Sequence, residues 1–242
     1  MKKACLTAVC AVRHGVQIIR LTKRNILALC VIAVFAASAQ ALNGQDETAG
    51  IRIAAAVAPA VVEIKTTKAA GTGFLVESVG VLLTNEHVAS SGNLISVKLS
   101  NGDIYNRINI VATDSARDIA VLRIPGFSLP TLRLGDSDAV QVGQRVFIVG
   151  NPLGLENTLT DGVVSAVRQF DGVRLFQVSA PISPGSSGSP VLNLNGEVVG
   201  IAVGKWRGGE NLNFAVPINY ARGLISLAPG TPATSRTMRT TR

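Results

Sequence analysis

The sequence predicts an all-β protein of two lobes, and three features support this. Short runs rich in Val, Ile and Leu recur along the chain, and clusters of turn-forming residues separate them. Such runs are typical of strands, and their close spacing is typical of antiparallel meanders. The segment Pro125–Pro130 interrupts the pattern and divides the strands into two groups. Roughly six short strands on each side of this connector fit a double β-barrel or a sandwich.

The first lobe covers about residues 51–124. It begins with Ile51–Ala60, which is either a short helix or a strand that ends at Pro59. Turns are predicted at Ser78–Gly80 and at Asn101–Gly102, and the second is a hairpin signal. The predicted strands are Val61–Ile64, Gly71–Val76, Val81–Thr84, Leu94–Leu99, Arg107–Thr113 and Ile119–Ile124.

The second lobe covers about residues 131–228 and has the same rhythm. Asn195–Gly196 is its strongest hairpin signal. A terminal helix is predicted over Ile218–Leu227, and residues 229–242, rich in Thr, Ser, Pro and Arg, are predicted to be disordered. The predicted strands are Arg145–Val149, Thr158–Arg168, Leu175–Val178, Val191–Leu194, Glu197–Val203 and Leu212–Val216.

Residues 1–41 read as a secretory signal peptide, followed by a polar spacer at 42–50. Basic residues without any acid precede the apolar run Ile26–Ala37, and the small residues of Ser38–Ala41 provide a cleavage site after Ala41. The prediction is an exported protein, periplasmic or secreted to the medium. The alternative is an uncleaved leader that tethers the chain to the inner membrane.

Removal of this leader changes the composition of the chain. The three cysteines leave with it, and so does His14, which makes His87 the only histidine of the mature protein. Of the 23 basic residues, 6 also leave, so 17 remain against 15 acids, a net charge of +2. We therefore expect no nucleic-acid partner, no metal site and no cofactor.

The first candidate for chemistry is the loop Pro184–Pro190, which lies between two predicted strands. Serine hydrolases need a nucleophilic hydroxyl and backbone N–H donors for the developing oxyanion. Ser187 provides the hydroxyl, and the N–H groups of Gly185 and Ser187 provide the donors. Clusters of Ser, Gly and Pro are more often plain loops, so the pattern alone leaves both interpretations open.

His87 and Asp118 are the candidates for a base and for the group that orients it. His87 follows the strand Val81–Thr84, and Asp118 immediately precedes the strand that begins at Ile119. Each has a plainer interpretation: a structural histidine, and a turn cap or an ion pair with Arg117. Asp114 is a nearby competitor for the role of Asp118.

The joint pattern is more specific than any of its members. The order His, Asp, Ser, with the serine in the second lobe, is the order of chymotrypsin-like proteases. The sequence closely resembles the protease domain of the HtrA/Deg family over about residues 50–226. The motifs that carry the resemblance are Thr84–Val88, Asp118–Leu122, Gly150–Gly154, Gly185–Pro190 and Phe214–Pro217.

The resemblance implies two six-stranded antiparallel β-barrels with a short C-terminal helix and a cleft between the lobes. It also implies cleavage of unfolded or misfolded polypeptides without ATP, and it leaves a homotrimer open. The chain departs from the family pattern at Ser186 and Ser189, where Asn and Gly are common. We also expect no PDZ domain after the protease domain, and therefore no regulation by such a domain.

The same resemblance places a pocket for the P1 side chain of the substrate. Pro181 stands six residues before Ser187, where trypsins carry an acid, so a basic P1 residue would find no partner. Ile182 and Leu212 align with the pocket lining, and Ala202–Val203–Gly204 aligns with the strand that pairs with the substrate. This predicts small aliphatic P1 residues. The alternative function is a catalytically silent fold that binds peptides or a partner.

Overall fold

The computed structural model describes residues 48–151, 158–205 and 212–228. The predicted leader, most of the spacer and the predicted tail lie outside these residues. No helix in the described part of the chain is long and apolar enough to cross a membrane.

Helix α1 spans residues 48–57 and continues as a 3-10 turn over Ala58–Ala60. Of the two alternatives for this segment, the helix is correct. Pro59 falls within the first turn of the 3-10 helix, where its missing N–H costs nothing. Ile53 and Val57, four residues apart, are both buried in the main core, so one face of α1 packs into that core.

The first lobe is a seven-stranded antiparallel sheet with the order β5-β4-β1-β2-β3-β7-β6. It agrees with the predicted strands except for the two-residue edge strand β5, which is too short to give a sequence signal. The sheet is a half-barrel and not a closed barrel, because its two edge strands, β5 and β6, do not pair with each other. Its strands are β1 (Val61–Thr66), β2 (Ala70–Glu77), β3 (Val81–Thr84), β4 (Leu94–Leu99), β5 (Ile104–Tyr105), β6 (Asn109–Asp114) and β7 (Ile119–Arg123).

The second lobe is a closed six-stranded barrel with the order β10-β13-β12-β11-β8-β9. All six of its strands were predicted. Asp171 and Gly172, both with positive φ, form the tight turn between β9 and β10, which sequence analysis did not single out. The strands are β8 (Arg145–Gly150), β9 (Thr158–Phe170), β10 (Val173–Val178), β11 (Pro190–Leu192), β12 (Val198–Lys205) and β13 (Asn213–Pro217).

Two short helices complete the fold. Helix α2, Glu86–Ala89, follows β3, and the predicted C-terminal helix is a 3-10 turn, Ile218–Tyr220, that leads into α3, Ala221–Ile225. The core is aliphatic, as the composition predicts, and its largest cluster joins side chains from both lobes. The all-β, chymotrypsin-like class is therefore confirmed, with one half-barrel and one closed barrel.

Candidate active site

His87 is held by two hydrogen bonds to a single carboxylate. It is the second residue of α2, three residues after the end of β3, and its side chain is 48% exposed. Its Nδ1 is 2.7 Å from Oδ2 of Asp118, and its backbone N–H donates to Oδ1 at 2.8 Å. These contacts raise the pKa of His87 above the ordinary imidazole value, chiefly through the side-chain hydrogen bond, while burial opposes the shift. The imidazole is thereby fixed with Nδ1 toward the carboxylate.

Asp118 is placed by the loop that joins β6 to β7. Its φ is 55°, a left-handed conformation that is uncommon outside glycine. Buried Asn85 donates from Nδ2 to the carbonyl oxygen of Asp118 at 3.0 Å, which helps to hold this conformation. Its competitor Asp114 instead binds the guanidinium of Arg117 at 2.6 Å. The structure thus brings Asp118, and not Asp114, to the histidine.

Ser187 lies in the loop between β10 and β11, with its hydroxyl donating to the carbonyl oxygen of Val203 at 3.2 Å. One backbone hydrogen bond lies within the loop, from the N–H of Ser186 to Ser183 O. A second, from the N–H of Gly188 to Ala202 O, joins the loop to β12. Ser187 therefore lies beside β12 in this conformation, and its hydroxyl is hydrogen-bonded to that strand and not to the imidazole of His87.

The turn before Ser187 leaves two N–H groups free. Pro184 and Gly185 occupy its central positions, and a φ of 92° at Gly185 makes it a type II turn. None of the hydrogen bonds among the described residues uses the N–H of Gly185 or of Ser187. These two donors are therefore available to a ligand beside the serine hydroxyl.

Gly188 has to be glycine because of where the loop meets the first lobe. Its φ is 87°, and a Cβ there would overlap the carbonyl oxygen of Thr72 and the hydroxyl of Thr84. The serine loop and strand β2 are therefore in direct backbone contact at this point.

Thr72 of β2 is fully buried and stabilises this contact through its hydrogen bonds. The sequence did not predict this role. Its Oγ1 donates to Gly185 O at 2.7 Å and accepts the N–H of Asn151 at 3.0 Å, and its N–H donates to Ser187 O at 2.9 Å. The only signal in the sequence is a polar residue between two glycines within an apolar strand.

We expect Thr72→Val to destabilise the protein by about 1–3 kcal/mol, because the isosteric side chain cannot bind the half-buried carbonyl of Gly185 or the N–H of buried Asn151. Urea unfolding followed by circular dichroism measures the change. Thr113→Val, at an exposed threonine of β6, is the matched control and should be close to neutral. A Thr72→Val protein as stable as wild type would contradict this account of the loop.

The residues predicted to line the P1 pocket belong to the barrel. Ile182 and Ala202 are buried and pack in the same apolar cluster, whereas Leu212 is half-buried. Val203 and Gly204 are also half-buried, and a Cβ at Gly204 would come within 3.3 Å of Ser187 Oγ. The structure brings this strand to the serine, while Ile182 also serves the packing of the core.

Comparison with known proteins agrees with this geometry. The family model described as a trypsin-like peptidase domain matches residues 71–201, more than half of the chain. Among curated proteins, the serine protease HhoB of Synechocystis sp. is 36% identical over 162 residues, which cover 64% of this chain and 39% of that protein. A periplasmic serine endoprotease named DegP-like from Pseudomonas putida is 39% identical over 158 residues, covering 62% of this chain and 33% of that protein. The chain thus spans about a third to two fifths of the length of these relatives.

Solved structures give the same result. The HtrA-type protease AlgW with a tripeptide superposes with a TM-score of 0.65 at 32% identity, covering 70% of this chain and 60% of that one. AlgW with a decapeptide gives a TM-score of 0.66 at 25% identity, covering 72% and 65%. With the family model spanning most of both lobes and these relatives sharing the fold, the chain belongs to the family of trypsin-like peptidase domains.

Proposed function

We propose that this protein is a serine endopeptidase that hydrolyses peptide bonds through an acyl-enzyme. The observation that carries the proposal is the pair of hydrogen bonds that the Asp118 carboxylate accepts from His87, at 2.7 and 2.8 Å. They leave Nε2 as the ring nitrogen available to a substrate-facing hydroxyl, in the tautomer that accepts a proton. Ser187 is the nucleophile, His87 the general base and then acid, and Asp118 the group that orients the imidazole.

The reaction begins with a rotation of the Ser187 hydroxyl from the Val203 carbonyl toward Nε2 of His87. Ser187 Oγ then attacks the scissile carbonyl carbon while its proton passes to Nε2. The carbonyl oxygen becomes an oxyanion that the free N–H groups of Gly185 and Ser187 stabilise. His87 returns the proton to the leaving amine, the amine departs, and water repeats the sequence on the ester to free Ser187.

The preferred P1 residue is small and aliphatic. Ile182, Leu212 and Ala202 offer apolar surface, and Pro181 places no acid at the position that would pair with a basic side chain. The backbone of Val203 and Gly204 pairs with the substrate, and the Val203 carbonyl exchanges its bond to Ser187 for one to a substrate N–H. This exchange would couple substrate binding to release of the nucleophile.

The substrates are unfolded or misfolded polypeptides, and the protein acts after export, in the periplasm. Relatives named periplasmic serine endoproteases support this, and so does the leader-like composition of residues 1–41. Cleavage after Ala41 would release the enzyme, whereas an uncleaved leader would tether it to the inner membrane. Assembly as a homotrimer is compatible with this function.

A fluorophosphonate probe tests the chemistry directly. We expect the purified protein to be labelled at Ser187, as located by peptide mass spectrometry, and to be labelled faster when an unfolded protein is present to draw the hydroxyl from Val203. Ser189→Ala is the matched control, since Ser189 Oγ is buried without a partner among the described residues. It should label like wild type, and Ser187→Ala should not label. Absence of label on the wild type, with unfolded protein present, would leave only a peptide-binding module.

A further inference from the structure

The Asp118 loop needs support from outside itself. Asp118 has a φ of 55°, and its side chain must meet both Nδ1 and the backbone N–H of His87. On one side the loop borders a cavity of about 390 Å³, which Phe170, Leu175 and Val216 of the barrel also line. On that side the loop faces open space, so the position of Asp118 depends on the bond from Asn85 and on what holds its neighbour, Arg117.

Arg117 is held from two directions. Its N–H and guanidinium both bind Asp114 of the same loop, at 3.0 and 2.6 Å. The guanidinium carbon also lies 4.6 Å from the ring centroid of Tyr220, a cation–π contact. The bonds to Asp114 hold the shape of the loop, and the contact with Tyr220 fixes the loop to the segment that follows β13.

Tyr220 is itself anchored to the barrel. It ends the 3-10 turn that follows β13, and its hydroxyl accepts the N–H of Arg174 in β10 at 3.3 Å. The guanidinium of Arg174 in turn donates to the carbonyl of Ser137 at 2.6 Å. The ring of Tyr220 thus joins the loop that carries Asp118, in the first lobe, to the lobe that carries Ser187.

We propose that Tyr220 is a positioning residue for catalysis, which acts through Arg117 to hold the Asp118 carboxylate against His87. This inference rests on the proposed function. It adds a residue from the C-terminal segment, outside every motif of the sequence, to the machinery of the reaction. The ring of Tyr220 contacts the guanidinium of Arg117, and its hydroxyl binds the N–H of Arg174.

The test compares Tyr220→Leu with Tyr220→Phe in hydrolysis of a fluorogenic peptide amide with valine at P1. We expect Tyr220→Leu to lower kcat by about threefold or more with little change in KM, since loss of one cation–π contact is worth a few-fold in rate. Tyr220→Phe should remain near wild type. Asp118 raises the pKa of His87, so a weaker hydrogen bond between these two residues in the leucine variant should lower that pKa. The acid limb of kcat/KM should then lie at lower pH than in wild type.

Two further variants keep the inference falsifiable. Arg117→Met removes the other half of the contact together with the ion pair to Asp114, so the double variant should lose no more activity than Arg117→Met alone. Tyr105→Leu changes the chain's other tyrosine, in β5, which four strands separate from β7 in the sheet order, and should leave kcat and the acid limb unchanged. If Tyr220→Leu misfolds by circular dichroism, Arg117→Met carries the same two expectations.

Three results would overturn the inference. One is a wild-type kcat in a folded Tyr220→Leu or Arg117→Met protein, and another is a lower kcat with an unmoved acid limb, which would indicate a general structural role. The third is additive loss in the double variant. A wild-type protein that neither labels with the fluorophosphonate nor cleaves the peptide would instead overturn the proposed function, and this inference with it.

Discussion

Ser187→Ala is expected to reduce hydrolysis of fluorescein-labelled casein by about 10⁵-fold or more, to a rate close to background. The alanine removes the hydroxyl that forms the acyl-enzyme in the proposed reaction. The loop should keep its shape, because its contacts to Thr72, Ser183 and Ala202 use backbone groups and not the Ser187 hydroxyl. The loss would therefore appear in kcat, with the casein affinity retained.

Two measurements make this result specific. Ser189→Ala, two residues away, should digest casein at the wild-type rate, since its hydroxyl has no partner among the described residues. Thermal unfolding of Ser187→Ala should match that of wild type. Residual hydrolysis of more than about one per cent in a pure sample would mean that another residue is the nucleophile.

The strands were predictable because their signals are local. Val- and Ile-rich runs alternate with turns such as Asn101–Gly102 and Asn195–Gly196, so a few consecutive residues are enough to predict each strand. Short connections account for the pairing of β9 with β10 and of β11 with β12. The pairs β10–β13 and β8–β11, which close the barrel, join strands far apart in the chain and have no local signal. Strand β5 was not predicted, because two residues are too few to show the alternation of apolar and polar residues that is typical of a strand. Its pairing with β4 is decided by tertiary contact.

The active-site geometry was predictable only in part. The order of His87, Asp118 and Ser187 indicated a triad, but the choice of Asp118 over Asp114 depends on a φ of 55° that no local pattern encodes. Thr72 and Tyr220 were missed because their roles arise from contacts between residues far apart in the chain. The same is true of the bond from Ser187 to Val203, which reflects a loop conformation rather than a residue type.

Asp118→Asn is expected to lower kcat by about 10⁴-fold, with most of the fold stability retained. The backbone N–H of His87 binds Oδ1 of residue 118, so the amide of asparagine keeps its oxygen there and turns Nδ2 toward Nδ1 of His87. The ring nitrogen must then accept a hydrogen bond, which moves the ring proton to Nε2. That tautomer cannot take the proton of Ser187.

The pH dependence separates this tautomer effect from simple damage to the site. Hydrolysis requires neutral His87, so wild-type kcat/KM should fall as pH drops through the raised pKa of His87, above the ordinary value of about 6.5. Asp118→Asn removes the hydrogen bond and the negative charge that raise this pKa, so its acid limb should lie at lower pH. Asp114→Asn is the control: it weakens the Arg117 pair but leaves the carboxylate at His87, and should lose far less activity. Because Asp118 contacts the imidazole and Asp114 does not, equal losses in the two variants would mean that the loop, and not the carboxylate at His87, limits the reaction.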